Sequence, residues 1–271
     1  MDEAVTPSRV RTADEVYGYG SAFADDGPSC RARPGTVVEL GLAPGSTVLD
    51  VGAREGHYCV ELSRHFGFRM HGVEPVRRHL DNAARALQAL AATEPEVAAR
   101  IRMDEGVAER LAEPDASVDL IWCRDVLVHV ADLKSAFGEF RRVLRPGGHA
   151  VIYQMTATDW LTPAEAARMW PSAGVHASST EPRHFEAAIA AGGLAIAQRI
   201  ELHGEWREWS EEEGDHRTSR QLLHVSRLLR NRPVFEERFG TDAYEAMLTD
   251  NLWGVYQMIG KLNPHVYVLS R

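Results

Sequence analysis

Residues 48–62 read VLDVGAREGHYCVEL: a short apolar strand, a turn between Gly52 and Gly56, and the opening of a helix. A strand that runs through a glycine turn into a helix commits a chain to strand–helix–strand construction, because the next strand must return alongside the first. The following hundred residues keep to that rhythm. Strand RMHGVE (69–74) precedes a helix over about 76–92, and a short strand near 101–104 follows. SVDLIWC (117–123) is a strand, 131–144 a helix, RPGG (145–148) a turn and HAVIYQM (149–155) a strand. Apolar strands alternating with helices of this length predict a parallel sheet covered on both faces.

The turn itself narrows the ligand. A dinucleotide fingerprint needs G-x-G-x-x-G, whose middle glycine lets the backbone approach a pyrophosphate. Here Gly52 and Gly56 are separated by Ala53, Arg54 and Glu55, so the spacing disfavours NAD, and no P-loop pattern is present. A ligand without a pyrophosphate needs a close turn, an acceptor for an amine and an acceptor for a ribose. Asp50, inside the first strand, offers the first. Glu74, at the end of the second, offers the other, as an acid there does in dinucleotide folds. The competing readings are a structural strand-end carboxylate for Asp50 and a helix N-cap for Glu74.

With a formal net charge of −9 the chain is no general nucleic-acid binder, and no basic run was found. Lysine occurs only at 134 and 261, an arginine bias that suggests a high-GC bacterial genome. Cys30, Cys59 and Cys123 are scattered, which argues against a disulfide framework or zinc site and fits a reducing cytoplasm. The polar, acidic N-terminus is no signal peptide, and no apolar run approaches the roughly 20 residues of a membrane span. Neither nucleic acid nor membrane is therefore expected as a partner.

Together, VLDVGAREG (48–56), GVEP (72–75), SVDLIWCRDVLVHVADL (117–133) and RRVLRPGGHAVI (141–152) resemble a class I S-adenosylmethionine (SAM)-dependent methyltransferase of the UbiE-like, type 11 group. The resemblance is strong over about 45–155. It implies a Rossmann-like α/β fold with a seven-stranded sheet in the order 3-2-1-4-5-7-6, parallel except for one late strand. SAM would lie over the ends of strands 1, 2 and 4, leaving as S-adenosylhomocysteine. Carried onto this chain, the cofactor residues are Asp50, Gly52, Ala53, Gly56, Glu74, Pro75, Val107, Ala108 and Cys123. Two positions depart from the pattern. Arg54 stands in the glycine turn, at a cost of about 1 kcal/mol if its backbone must take positive φ. Val107 stands where the family usually has an Asp for the adenine amino group; Asp104 is acidic and near, but out of register.

Residues 1–45 read as an N-terminal arm or cap, 46–208 with 263–271 as the SAM-binding domain, and 209–262 as a helical lid inserted between the last two strands. Leu222, Leu223, Val225, Leu228 and Leu229 are expected to fall on one face at helical spacing within it. Arg124, Trp206 and Tyr19 are the expected substrate contacts, Trp206 or Trp209 by stacking on a ring. His129, followed by Val130-Ala131-Asp132, is expected to tie the loop after strand four to the next helix, although a catalytic role was weighed. His224 is the candidate general base. Methyl transfer to a small molecule, at oxygen ahead of nitrogen and in bacterial specialised metabolism, is the expected function. The alternatives are a SAM-binding member catalysing a cyclisation, or a non-enzymatic binding protein. No catalytic metal is expected, and a homodimer is admitted.

Overall fold

The computed structural model describes residues 40–202 and 205–271. Seven strands form one sheet: β1 Thr47–Val51, β2 Arg69–Glu74, β3 Ile101–Glu105, β4 Val118–Arg124, β5 Leu144–Ala157, β6 Ala195–Glu201 and β7 Leu262–Ser270. Their order is β3-β2-β1-β4-β5-β7-β6. The first five pair in parallel, and β7 runs antiparallel to both neighbours. The predicted architecture is the observed one.

The central strands alternate their side chains between two packed faces. Leu120 and Trp122 of β4 enter one core with Val48, Phe68, Met155 and Trp170. Ile121 and Cys123 enter the other with Leu49, Val51, Phe137, Phe140 and Phe185. A strand buried on both sides reads as a continuous apolar run, which is how these strands were visible in the sequence. The crossover helices are α1 His57–Phe66, α2 Arg77–Thr93 with a short α3 Pro95–Ala98, and α4 Leu133–Val143. Gly56 and Gly67 bracket α1 with φ of 78° and 68°, a conformation that costs glycine least. Asp132 caps α4 by accepting from the Ser135 N–H at 3.0 Å.

Three local expectations are corrected. RPGG is not a turn before β5 but an interruption within it: Leu144 pairs with Val118 and His149 with Leu120, so the four intervening residues bulge out opposite Asp119. Arg145 pairs there with the Asp119 carboxylate. β6, for which the run LAIAQRIELHGEW predicts a strand over 194–206, ends at Glu201. It is an edge strand whose sole neighbour is β7, and at Pro264 that neighbour has no N–H to offer. Finally, the single long helical stretch expected over 210–262 is four helices: α7 Glu205–Glu212, α8 Arg217–Arg230, α9 Arg232–Phe239 and α10 Thr241–Met258. Here α5 Pro163–Ala173 and α6 Pro182–Ala191 take their place earlier in chain order, which leaves α7 to α10 as the insertion between β6 and β7. Pro233 and Gly240 break the run, Gly240 with φ 83°. The insertion has its own small core, Val225, Leu228, Tyr244 and Leu248.

Candidate cofactor and acceptor site

The carboxyl ends of β1, β2 and β4 converge on the glycine turn. Gly52 and Ala53 donate their N–H groups to the Val73 carbonyl, at 2.8 and 3.1 Å, so the turn folds over the end of β2. Gly52 has φ 75°, and a Cβ built there would lie 2.2 Å from the Val126 side chain in the loop after β4. Only glycine fits. Arg54 takes φ 49°, the strained conformation anticipated for it, but its side chain is exposed. Its N–H donates to Glu74 Oε2 at 2.9 Å. The residue that looked like a defect thus supplies a backbone hydrogen bond that orients the acid.

Glu74 is buried. Besides Arg54, it accepts from the Val76 N–H at 3.0 Å and meets His79 Nδ1 at 3.1 Å, both at Oε1. Oε2 therefore keeps acceptor capacity beyond the bond from Arg54. Asp50 is also buried, and among the described residues its side chain receives one hydrogen bond, from the Cys59 thiol (Sγ–Oδ2 3.4 Å). Burial pushes its pKa up to about 7; the thiol and Arg124 pull it down, and Glu74 raises it. A carboxylate so poorly satisfied calls for a cation. An ammonium at Asp50 and a ribose at Glu74 are the two polar ends of SAM, and the residues present fit that cofactor.

At the adenine edge, Val76 and Val107 leave apolar side chains exposed, while Ala108 is buried. Pro75 is exposed beside Val76. Asp104 does not face this edge as an acceptor, because its carboxylate meets His71 Nε2 at 2.8 Å. A cleft of about 420 Å³ opens at the other ends of the strands, between Arg69, Arg100 and Glu113, away from the glycine turn.

Beyond Asp50 lies a second group that sequence reading found only in part. Cys123 is a buried thiol whose pKa is pushed well up by burial, then by Asp50 and Asp125; it lines the site as a neutral packed residue. Arg124 bonds to the Tyr58 hydroxyl. Its guanidinium lies 5.1 Å from the Tyr58 ring centroid and 5.7 Å from that of Tyr153. Asp125 follows with φ 55°, and its buried Oδ1 has no hydrogen-bond partner. Burial raises its pKa, against Arg124, His129, Arg207 and the neighbouring Trp253 indole N–H, which itself falls short of full hydrogen-bond geometry. Arg207, on α7, is buried and bonds Gln257 Oε1 at 2.6 Å, Thr218 Oγ1 at 3.2 Å and Gln221 Oε1 at 3.3 Å. Desolvation brings its pKa down to about 10. Sequence reading places Asp125 beside Cys123 and Arg124 near the methionine end of SAM but gives it no part in proton transfer; Tyr58, Tyr153 and Arg207 were missed. A non-glycine residue in the left-handed region is one signal, but it is visible only in three dimensions.

The two histidine expectations fare differently. His129 Nδ1 lies 2.9 Å from the Gly174 carbonyl, so the ring ties the loop after β4 to the end of α5, not to α4 as expected. His224 is exposed on α8, which turns Val225 and Leu228 inward instead. His224 therefore stands off the inward face of α8, where a base covering the acceptor is expected. Trp206 lies in α7, whereas Tyr19 falls outside the described residues.

Comparison with known proteins agrees with this geometry. A family model described as a methyltransferase domain matches residues 30–199. A 2-methyl-6-phytyl-1,4-hydroquinone methyltransferase of Synechocystis sp. is 32% identical over 119 residues, 44% of this chain and 33% of that protein. The chain spans about a third of the length of the first curated relatives it matches. Among solved structures, a putative sarcosine dimethylglycine methyltransferase from Galdieria sulphuraria superposes with a TM-score of 0.63 at 16% identity, over 86% of this chain and 80% of that one. The [4+2]-cyclase SpnF gives the same TM-score at 18% identity, over 86% and 77%. The match over most of the chain and the strand order make this chain a member of the class I SAM-dependent methyltransferase family.

Proposed function

We propose that the chain transfers a methyl group from SAM to a small-molecule acceptor, at oxygen ahead of nitrogen, in bacterial specialised metabolism. The observation that carries this reading is the pair of carboxylates Asp50 and Asp125, at the ends of adjacent strands. Asp50 has the burial and the missing cation partner that suit an ammonium. Asp125 has a strained backbone and an unpartnered buried oxygen, the marks of a group kept for chemistry.

SAM, when bound, supplies an electrophilic methyl on a sulfonium sulfur. Asp50 holds the ammonium and Glu74 Oε2 the ribose. Arg124, set between Tyr58 and Tyr153, lines the acceptor side. Asp125 takes the proton that an O–H or N–H acceptor must lose. A raised pKa makes it a stronger base once ionised. The helices of the insertion act as a lid: Arg207 fastens α7 to α8 and α10 above this group, which excludes water and positions the acceptor.

The test is a metabolite panel incubated with SAM and followed by mass spectrometry. A product heavier by one methylene, formed with S-adenosylhomocysteine, supports the proposal. An isomer of unchanged mass would instead identify a cyclase. SAM bound without any turnover would leave a binding protein.

A further inference from the structure

The outer face of α8 is unlike the rest of the surface. From Arg217 to Phe235 the chain carries five arginines and one histidine with no acid, although the whole chain has a net charge of −9. The inner face is accounted for: Val225 and Leu228 pack on Tyr244 and Leu248, and Thr218 and Gln221 hold Arg207. The outer face keeps Leu222 52%, Leu223 46% and Leu229 52% exposed, with Val234 of α9 62% exposed beyond them. Helical spacing sets Leu222 beside Leu229, and places Arg230 between that pair and Leu223.

Arg220 and Arg232 have carboxylate partners, Asp215 at 3.1 Å and Glu236 at 2.9 Å. The ion pairs among the described residues include none for Arg227 or Arg230. A helix with exposed leucines interleaved with arginines fits a surface that is apolar below and anionic above. A second copy of the chain meets these demands poorly, because pairing α8 with itself would set arginines against arginines. An acidic protein would satisfy the charges while leaving four aliphatic side chains to find apolar cover.

We propose that α8 and the start of α9 dock the protein peripherally on an anionic phospholipid surface. Leu222, Leu223, Leu229 and Val234 enter the boundary between headgroups and acyl chains, and Arg227 and Arg230 meet the lipid phosphates. This is a surface contact: among the described residues no helix is long and apolar enough to cross a membrane. It departs from the expectation of no membrane partner, which rested on the lack of a span. The proposal is independent of the acceptor and of the catalytic residues.

The experiment is flotation of the full chain with phosphatidylcholine vesicles, with and without phosphatidylglycerol, at low and high salt. Partition onto the phosphatidylglycerol vesicles should be at least tenfold stronger and should weaken with salt. Leu222→Ser/Leu229→Ser and Arg227→Glu/Arg230→Glu should each reduce it at least tenfold, with circular dichroism unchanged. The proposal is overturned by no partition onto anionic vesicles, by equal binding to both compositions, or by binding indifferent to both double variants. It is equally overturned if sedimentation shows a dimer that Leu222→Ser/Leu229→Ser dissolves, which would give the face to a second copy.

Discussion

The thiol of Cys59, one turn into α1, donates to the buried carboxylate of Asp50 at 3.4 Å. A thiol is a weak donor, and Asp50 stays half-protonated near pH 7 as a result of burial. The free protein thus holds a carboxylate that gains its charge fully only at higher pH or when a cation arrives. SAM affinity should therefore rise with pH between about 6 and 8, by up to tenfold per unit below the Asp50 pKa. The stability effect has the opposite sign. Above an ordinary carboxylate value the unfolded chain has lost this proton while the folded chain keeps it, so stability falls as pH rises from about 4 to 7 and then levels off. The interval from 3.8 to about 7 corresponds to about 4 kcal/mol. Asp50→Asn should remove that slope, melt higher than wild type at pH 8, and bind SAM poorly at every pH. Melting curves and titration calorimetry at pH 6 and 8 check all three; a mutant that melts lower at pH 8 contradicts the account.

The glycine turn can be tested against a single neighbour. Gly52→Ala would put a methyl 2.2 Å from Val126 Cγ2, in a backbone at φ 75°. The clash and the dihedral are separable. Gly52→Ala should abolish measurable SAM binding or lower stability by about 1–3 kcal/mol, as overpacking does. Adding Val126→Ala should recover all but about 1 kcal/mol, the residual cost of left-handed alanine. If the double variant is no better than the single, the contact is not what requires glycine.

Much of this was legible in the sequence, and the limits have physical causes. The two-faced strands could be read because each depends on a local run of residues and its register, and the sheet order followed from the family resemblance. Arg54 was read correctly as strained, yet its use was hidden, since the Glu74 it bonds belongs to the next strand. The charge of Arg207 reaches Asp125 only because α7, far along the chain, folds back near the end of β4. His224 was misplaced for another reason. The leucines of α8 form two faces, Val225 and Leu228 inward and Leu222, Leu223 and Leu229 outward, and apolar periodicity alone does not say which face meets the protein.

Glu74 has two duties, which predicts two losses. With Glu74 as the proposed ribose acceptor, Glu74→Ala should weaken SAM binding by about 2–3 kcal/mol. It also strips acceptors from the N–H groups of Arg54 and Val76, so the melting temperature should drop, by about 1–3 kcal/mol of stability. Glu74→Gln keeps one acceptor oxygen and should lose less of both. An alanine variant with normal melting and normal SAM affinity would remove Glu74 from the site.

Arg207 should matter to the lid more than to the cofactor. Its bonds to Gln257, Thr218 and Gln221 join three helices of the insertion, and these are hydrogen bonds from a buried charge. Arg207→Met should cost about 2–4 kcal/mol, felt first as faster limited proteolysis within α7 to α9. KM for the acceptor should rise and SAM affinity should hold. A loss of SAM binding equal to that of Asp50→Asn would mean that Arg207 supports the cofactor end instead.

The proton acceptor can be assigned by three variants measured side by side. Asp125→Asn keeps the shape of a residue whose backbone is already strained, and asparagine tolerates the left-handed region well. It should fold, bind SAM normally and lose about 10²–10⁴ in turnover. The wild-type rate should rise with pH as Asp125 ionises, its pKa being raised by burial, and that rise should disappear in Asp125→Asn. His129→Ala should lose about 0.5–1.5 kcal/mol of stability, the net worth of one exposed hydrogen bond to the Gly174 carbonyl. Its remaining activity should keep the wild-type pH profile. His224→Ala, altering an exposed side chain, should stay within about 0.5 kcal/mol of wild-type stability and turn over normally. Single-turnover rates across pH 6 to 9, with melting and SAM titration on each variant, separate the cases. If His129→Ala melts like wild type and shows no turnover while Asp125→Asn retains it, the proton goes to His129 and Asp125 only binds the acceptor.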